Sequence, residues 1–145
     1  MITRILSKDD SDYNICKLQE AIRENERINE CGAIYSFEGF VRGKESGKIT
    51  LKMVLSTPNR DKSEKELLDI VSGIKEETGV IDIAVVHFIG EFQVGDPLFL
   101  VVVAGAHRQE TREALNQVVE RVKYELDFKK EELTEEGSNI IMSGG

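Results

Sequence analysis

Cysteine and long apolar runs are both scarce in this chain of 145 residues. Cys16 and Cys31 have no other cysteine or histidine near them at the spacing of metal ligands, so they predict neither a zinc site nor a disulfide framework. No apolar run reaches the roughly 18 residues that a membrane span needs, and residues 1–8 contain no hydrophobic signal core. We therefore expect a cytoplasmic protein without membrane association.

Positive charge is also scarce, because 19 Lys and Arg residues stand against 27 Asp and Glu, a formal net charge of −8. Binding to a phosphate backbone needs a positive face, so this balance argues against a general nucleic-acid binder. Several basic residues nevertheless fall near predicted strand or helix ends and could form one positive pocket: Arg42, Lys44, His107, Arg108, Lys123, Lys129 and Lys130. The alternative is that they lie near element ends by chance.

The chain has the length of one domain with its own core and is too short for two ordinary domains. Strands and helices are predicted in mixed order, without the strict alternation of a doubly wound sheet and without a phosphate-loop or dinucleotide glycine pattern. These features predict a single α+β domain over residues 1–145, with a mixed, largely antiparallel sheet, about three helices and a surface tail at residues 131–145.

Strand patterns fall at residues 3–7, 32–42, 48–56, 80–89 and 98–104. We expect 48–56 to pair with 32–42 as a hairpin. The segments 80–89 and 98–104 are adjacent in the chain, so we expect them to pair antiparallel. After the last helix, the polar segment contains one short predicted strand at 139–142.

Helical spacing of apolar residues predicts a first helix around residues 15–22. A second helix is predicted to begin at the capping box Ser63-x-x-Glu66 and to end at Gly79. A third helix is predicted at residues 109–126, where five apolar residues share one stripe: Leu115, Val118, Val119, Val122 and Leu126.

The stretch Gly105-Ala106-His107-Arg108 joins the last apolar strand to the third helix. His107 and Arg108 are thereby predicted at the helix N-terminus. Unpaired backbone N–H groups, the helix dipole and a guanidinium group meet there, which favours binding of a phosphate or carboxylate. The alternative for His107 is a helix-start residue that is hydrogen-bonded to the backbone.

Lys123 lies near the other end of the same predicted helix. In an ideal helix it is about 80° from Leu115, on the border of the apolar stripe, so we expect partial burial of its ammonium group. Burial of a lysine amine favours its neutral form, which can act as an acid, a base or a nucleophile near neutral pH. The alternative is a residue whose stem covers apolar surface while its charge stays in water.

No Ser-His-Asp pattern, metal-ligand cluster or nucleophile elbow is present, so these residues alone indicate an acidic α+β domain with a candidate anion pocket. Five blocks carry a further signal: Gly32-Ala33-x-x-x-Phe37-x-Gly39-x-Val41-Arg42, His87-x-Ile89-Gly90 with Gly95-Asp96, Ala106-His107-Arg108, Lys123, and Lys129-Lys130-Glu131. In this order, between residues 32 and 137, they resemble the large, catalytic subunit of molybdopterin synthase.

The resemblance implies an α/β-hammerhead-like fold and an enzyme that installs the two sulfurs of the molybdopterin dithiolene on cyclic pyranopterin monophosphate. The sulfur donor would be the C-terminal thiocarboxylate of a small ubiquitin-like carrier, whose Gly-Gly tail enters a pocket of the large subunit. No catalytic cysteine, cofactor or metal is then expected. The resemblance also implies a homodimer at the core of a heterotetramer, with one small subunit at each end.

Position by position, the resemblance implies that Lys123 and Lys130 are the catalytic lysines. It also implies that Arg42, His107 and Arg108 hold the phosphate and the pterin. Arginine suits this role because its guanidinium group binds phosphate through two parallel hydrogen bonds.

The chain departs from the family pattern at Phe88, Asp127 and Lys129, and it has no arginine after Lys130. Two other functions therefore stay open: a non-catalytic docking module for a ubiquitin-like Gly-Gly tail, and a small-anion receptor. The pair of Lys123 and Lys130 favours the enzyme, because a pure docking protein has no need of it.

The last residues of the sequence, 143–145, read Ser-Gly-Gly and suggest a further hypothesis. This tail would enter the same pocket as the carrier tail and compete with it. The alternative is a frayed terminus.

Overall fold

A computed structural model describes residues 1–45 and 47–142 of the chain. The described strands are β1 (Ile2–Ser7), β2 (Ala33–Phe40), β3 (Lys44–Glu45), β4 (Lys48–Ser56), β5 (Asp82–Gln93), β6 (Pro97–Gly105), β7 (Lys129–Thr134) and β8 (Gly137–Ile141). The described α-helices are α1 (Ile15–Arg23), α2 (Arg60–Thr78) and α3 (Arg108–Glu125). Short 3-10 helices lie at Lys8–Asp10 and Ile28–Glu30.

The strands form one sheet in the order β2-β6-β5-β4-β7-β8, with β1 parallel to β5 and β3 paired with β4. All pairs except β1 with β5 are antiparallel. The helices α2 and α3 pack against each other, and α3 also packs against β6 and β2. The centre of the core is the pair β5 and β6, where the apolar side chains from Leu100 to Ala104 are fully buried. The predicted α+β class, with a largely antiparallel sheet and three helices, is confirmed.

The predicted hairpin of 32–42 with 48–56 is wrong. β2 pairs with β6 over its whole length, whereas β4 pairs with β5 on one side and β7 on the other. Short, partly apolar strands carry no local signal for their partner, and here the partner of β2 is the most apolar strand of the chain. The predicted antiparallel pairing of β5 with β6 is confirmed.

The predicted surface segment at residues 131–145 lies mostly at the surface where it is described, but as far as Ile141 it forms strands of the sheet. β7 lies between β4 and β8, and β8 covers most of the short strand that was expected at 139–142. The sequence of β7, Lys-Lys-Glu-Glu-Leu-Thr, shows no apolar alternation that would predict a strand. The strand forms nevertheless, because the hydrogen bonds between strands use the backbone and do not depend on apolar side chains. The hypothesis of a docking tail at residues 143–145 lies outside the described residues.

The N-terminus of α2 also differs from the prediction. The helix begins three residues before Ser63, and its N-cap is Asn59, whose side-chain oxygen accepts a hydrogen bond from the N–H of Lys62 at 3.1 Å. Ser63 is buried inside the helix, and its hydroxyl group is 2.8 Å from that of Thr57. The end at Gly79 is confirmed, with the left-handed conformation (φ 74°) that glycine adopts readily.

Replacement of the true cap should therefore matter more than replacement of the predicted one. Asn59→Ala should lower the free energy of unfolding by about 1 kcal/mol, because it leaves the N–H of Lys62 without its acceptor. Glu66→Ala, the matched control, should lower it by less than about 0.5 kcal/mol. Urea unfolding of the two variants measures both values, and a larger loss in Glu66→Ala would contradict the assignment of the cap.

Within the described parts of the chain, no helix combines the length and the apolar character that crossing a bilayer requires.

Candidate active site

A cavity of about 280 Å³ lies against the C-terminal half of α3 and is lined by residues of β2, β4, β5, β6 and β7. Its interior is apolar, because Met53, Phe99 and Phe128 are all buried. Its more exposed lining residues are Phe40 and Met142, which are each more than half exposed. The cavity is therefore an apolar recess with a wide, solvated opening.

The structure brings the two predicted catalytic lysines together on this cavity. Lys123 is on the last turns of α3, and Lys130 is the second residue of β7, so the short connection between the two elements places both at one site. The Lys130 side chain is 25% exposed, and its ammonium group is 3.4 Å from a carboxylate oxygen of Glu132. The Lys123 ammonium group is 5.8 Å from the centre of the Tyr124 ring.

The expected partial burial of Lys123 is wrong, because its side chain is exposed. The buried face of α3 includes Thr111 and Ala114 besides Val118 and Val122. These residues move the centre of that face away from Leu115, on the side opposite Lys123. Lys123 therefore lines the cavity at its solvated opening rather than inside the core.

The predicted anion-binding residues His107 and Arg108 are at the opposite end of α3. His107 is the N-cap, Arg108 is the first helical residue, and both side chains are exposed. The backbone N–H of His107 donates to a carboxylate oxygen of Glu110. A helix rises about 1.5 Å per residue, which separates Arg108 from Lys123 by about 22 Å.

Arg42 does not line the cavity either. It is exposed and follows Phe40, which does line the cavity, by two residues. One chain therefore unites Lys123 and Lys130 at the cavity, whereas Arg42, His107 and Arg108 lie outside its lining.

His87 also lines the cavity, although the sequence did not single it out as a site residue. Its ring is stacked on Phe128, with centroids 4.4 Å apart, and lies 4.8 Å from the ring of Phe99, its neighbour across the strand pair. Nδ1 is 3.0 Å from the backbone oxygen of Phe88. Burial lowers the pKa of His87 from 6.5 to about 4, so the ring is neutral at neutral pH. The sequence feature that could have identified His87 is its position in the family block His87-x-Ile89-Gly90.

Replacement of His87 by phenylalanine should make the fold less sensitive to acid. The folded-state pKa of about 4 lies below the ordinary 6.5, so between these values the unfolded chain binds a proton that the folded chain does not. The parent should lose on the order of 3 kcal/mol of stability through this group as the pH falls from 7 to 4. The carboxylates that titrate between pH 7 and pH 4 are the same in both proteins, so their contribution cancels when the two losses of stability are compared.

Urea unfolding at pH 7 and pH 4 measures the effect. The difference between the two pH values should be smaller in His87→Phe than in the parent. An equal loss in the two proteins would contradict a neutral, half-buried imidazole.

Comparison with known proteins supports the family that the sequence blocks suggested. The model of the family described as "MoaE protein" matches residues 9–125. The chain is 33% identical over 132 residues to the molybdopterin synthase catalytic subunit of Pyrococcus abyssi, a match that covers 91% of this chain and 86% of that protein.

Solved structures share the fold. The molybdopterin synthase structure from Staphylococcus aureus superposes with a TM-score of 0.80 at 27% identity and covers 96% of both chains. A complex of subunits 1 and 2 of the molybdopterin-converting factor from Helicobacter pylori contains a chain of the same fold, with a TM-score of 0.71 at 20% identity over 97% of this chain and 89% of that one.

The chain belongs to the MoaE family. The prediction of an enzyme from this family is confirmed, because the curated relative carries the name of a catalytic subunit.

Proposed function

We propose that this protein transfers sulfur from the C-terminal thiocarboxylate of a small ubiquitin-like carrier to cyclic pyranopterin monophosphate, which forms the molybdopterin dithiolene in the cytoplasm. The observation that carries the proposal is the convergence of Lys123 and Lys130 on one apolar cavity in a member of the MoaE family. Neither cysteine is among the lining residues of this cavity. A carrier that brings its own sulfur suits such a site.

The two lysines suit a reaction between anions. A thiocarboxylate is negatively charged, and ammonium groups beside it provide charge-assisted hydrogen bonds, which are roughly twice as strong as neutral ones. A lysine can also donate a proton to the oxygen that leaves the substrate when sulfur takes its place. The carboxylate of Glu132 holds the Lys130 ammonium group at the cavity wall, whereas Lys123 is exposed enough to reach an incoming tail.

The partner follows from the same proposal. A Gly-Gly tail has no side chains, so it can pass through a narrow opening and present its terminal group to the lysines. The relative in the Helicobacter pylori complex is bound to a second subunit, which supports a two-subunit assembly here.

The phosphate-binding role of His107 and Arg108 points to a second copy of the chain, because both residues lie at the far end of α3 from the cavity. The backbone of Arg108 is about 22 Å from that of Lys123 along one helix, and Arg108 does not line the cavity, so an Arg108 supplied by another subunit suits the site better. A homodimer in which the start of α3 from one subunit reaches the cavity of the other would complete the site. This arrangement fits the heterotetramer that the family resemblance implies.

Mixing two inactive variants tests the shared site. Lys123→Ala and Arg108→Ala should each lose activity, because one lacks the catalytic amine and the other a phosphate ligand. After the subunits are exchanged, each mixed dimer has one intact site, and random mixing should restore about one quarter of the parent activity. Mixing Lys123→Ala with Lys130→Ala is the control and should restore none, since both residues serve the same cavity. Failure of the first mixture to regain activity would exclude the shared site.

Reconstitution tests the reaction itself. The protein is incubated with cyclic pyranopterin monophosphate and a thiocarboxylated carrier, and the dithiolene product is measured by mass. A carrier with an ordinary carboxylate is the control and should give no product. Absence of product with the thiocarboxylated carrier would overturn the proposal in favour of a docking module.

A further inference from the structure

The His87 ring has one nitrogen without a hydrogen-bond partner among the described residues. Nδ1 lies 3.0 Å from the backbone oxygen of Phe88, whereas no described group bonds to Nε2. Among the described residues, no buried side-chain nitrogen or oxygen lacks a hydrogen-bond partner. Nε2 must therefore be accessible, and the cavity is the space that His87 lines.

The chemical character of this nitrogen is fixed by its surroundings. Because Nδ1 faces a carbonyl oxygen, it carries the hydrogen and donates it, which leaves a lone pair on Nε2. The rings of Phe128 and Phe99 pack against the imidazole ring, so a ligand can contact His87 only at the ring edge. His87 thus presents a neutral hydrogen-bond acceptor in a largely apolar recess.

The polar groups of the cavity restrict what can bind beside that acceptor. Apart from His87, the polar side chains that the described part of the chain contributes to the lining are Glu120, Lys123 and Lys130. A pterin has many donors and acceptors, and most of them would be left without partners against phenylalanine, leucine and methionine side chains. A glycine tail has one N–H and one carbonyl per residue, and its buried N–H groups need acceptors.

We propose that Nε2 of His87 accepts a hydrogen bond from a backbone N–H of the Gly-Gly tail and so positions its terminal group between the two lysines. This inference rests on the proposed function and adds to it a residue that binds the carrier tail rather than the pterin substrate. His87 is thereby a specificity residue for the carrier.

The test removes the donor from the ligand and the acceptor from the protein. The probe is a synthetic peptide ending in Gly-Gly with a free carboxylate, and two further peptides carry N-methylglycine in place of one or the other glycine. For the parent, one methylated peptide should bind about tenfold more weakly than the plain one, the loss expected for a buried hydrogen bond. Calorimetry or fluorescence titration gives the dissociation constants.

His87→Phe completes the cycle, because it keeps the stacked ring and removes the acceptor. This variant should bind the plain peptide about tenfold more weakly than the parent does and should not discriminate between plain and methylated peptides. His87→Gln, whose side-chain oxygen can stand near the position of Nε2, should recover part of the affinity. The KM for cyclic pyranopterin monophosphate should stay within about twofold of the parent value.

Each remaining outcome counts against the inference. Equal binding of all three peptides by the parent would overturn the role of His87 while leaving sulfur transfer intact, and this test does not depend on the folding of a variant. Equal discrimination by parent and His87→Phe would mean that the methyl group clashes elsewhere. An increase in KM for the precursor with unchanged peptide affinity would assign Nε2 to the pterin. Failure of the parent to bind the plain peptide would overturn this inference, whereas the proposed function is decided separately by reconstitution with the whole carrier.

Discussion

Lys123→Ala should lower the rate of dithiolene formation at least about 100-fold, the contribution typical of a positioned acid or base. The side chain is exposed on α3, and alanine is the best helix former, so the free energy of unfolding should change by less than about 0.5 kcal/mol. Single-turnover assays with saturating carrier measure the rate, and urea unfolding verifies the fold.

The matched control is Lys65→Ala, which removes an exposed lysine from the outer face of α2, away from the cavity. It should leave the rate unchanged. If Lys123→Ala retained activity within a few-fold of the parent, Lys123 would be a surface residue and the catalytic role would have to rest on Lys130 alone.

Gly32→Ala should be the most destabilising glycine replacement tested, at about 2 to 3 kcal/mol. An added Cβ would collide with the backbone oxygen of Ala106, an atom that cannot turn aside as a flexible side chain would. Gly32 also donates its N–H to the backbone oxygen of Gly105 at 2.9 Å, which closes the end of the β2–β6 pair. Thermal unfolding should show a fall of about 5 to 10 °C in Tm.

Replacement of glycine by alanine at Gly73 is expected to raise stability instead of lowering it. This glycine lies on the exposed face of α2 with no atom near its Cβ position, so Gly73→Ala should raise stability by roughly 0.5 to 1 kcal/mol. The contrast between the two variants separates steric collision from the general effect of alanine. Equal shifts in Tm would show that the close approach of Gly32 to Ala106 can relax.

Elements with strong local signals were predictable from the sequence. The continuous apolar run of β6 and the amphipathic stripe of α3 each satisfy a simple period, and their predicted bounds differ from the structure by a residue or so. The pairing of β2 and the existence of β7 were not predictable, because both depend on partners far away in the chain. Local patterns determine which segments form strands, whereas the assembled core determines which strands meet.

The site divides in the same way. Lys123 and Lys130 could be found because they stand at recognisable positions in the family blocks, and the structure places both on one cavity. The surroundings that give His87 its neutral ring come from Phe99, its neighbour across the predicted strand pair, and from Phe128, which is distant from it in sequence. The stacking of Phe128 on His87 has no signature in a single sequence.

The position of β7 between β4 and β8 has a consequence for how the protein is made. A ribosome releases β4 long before β7, with α2, β5, β6 and α3 in between, so one edge of β4 stays open while most of the chain is synthesised. Ile49 and Leu51 on that strand remain about half exposed even after folding, and an open strand edge with apolar side chains favours aggregation. The cavity wall that carries Lys130 is therefore assembled last, and a nascent chain interrupted after α3 would have Lys123 in place beside an unpaired edge.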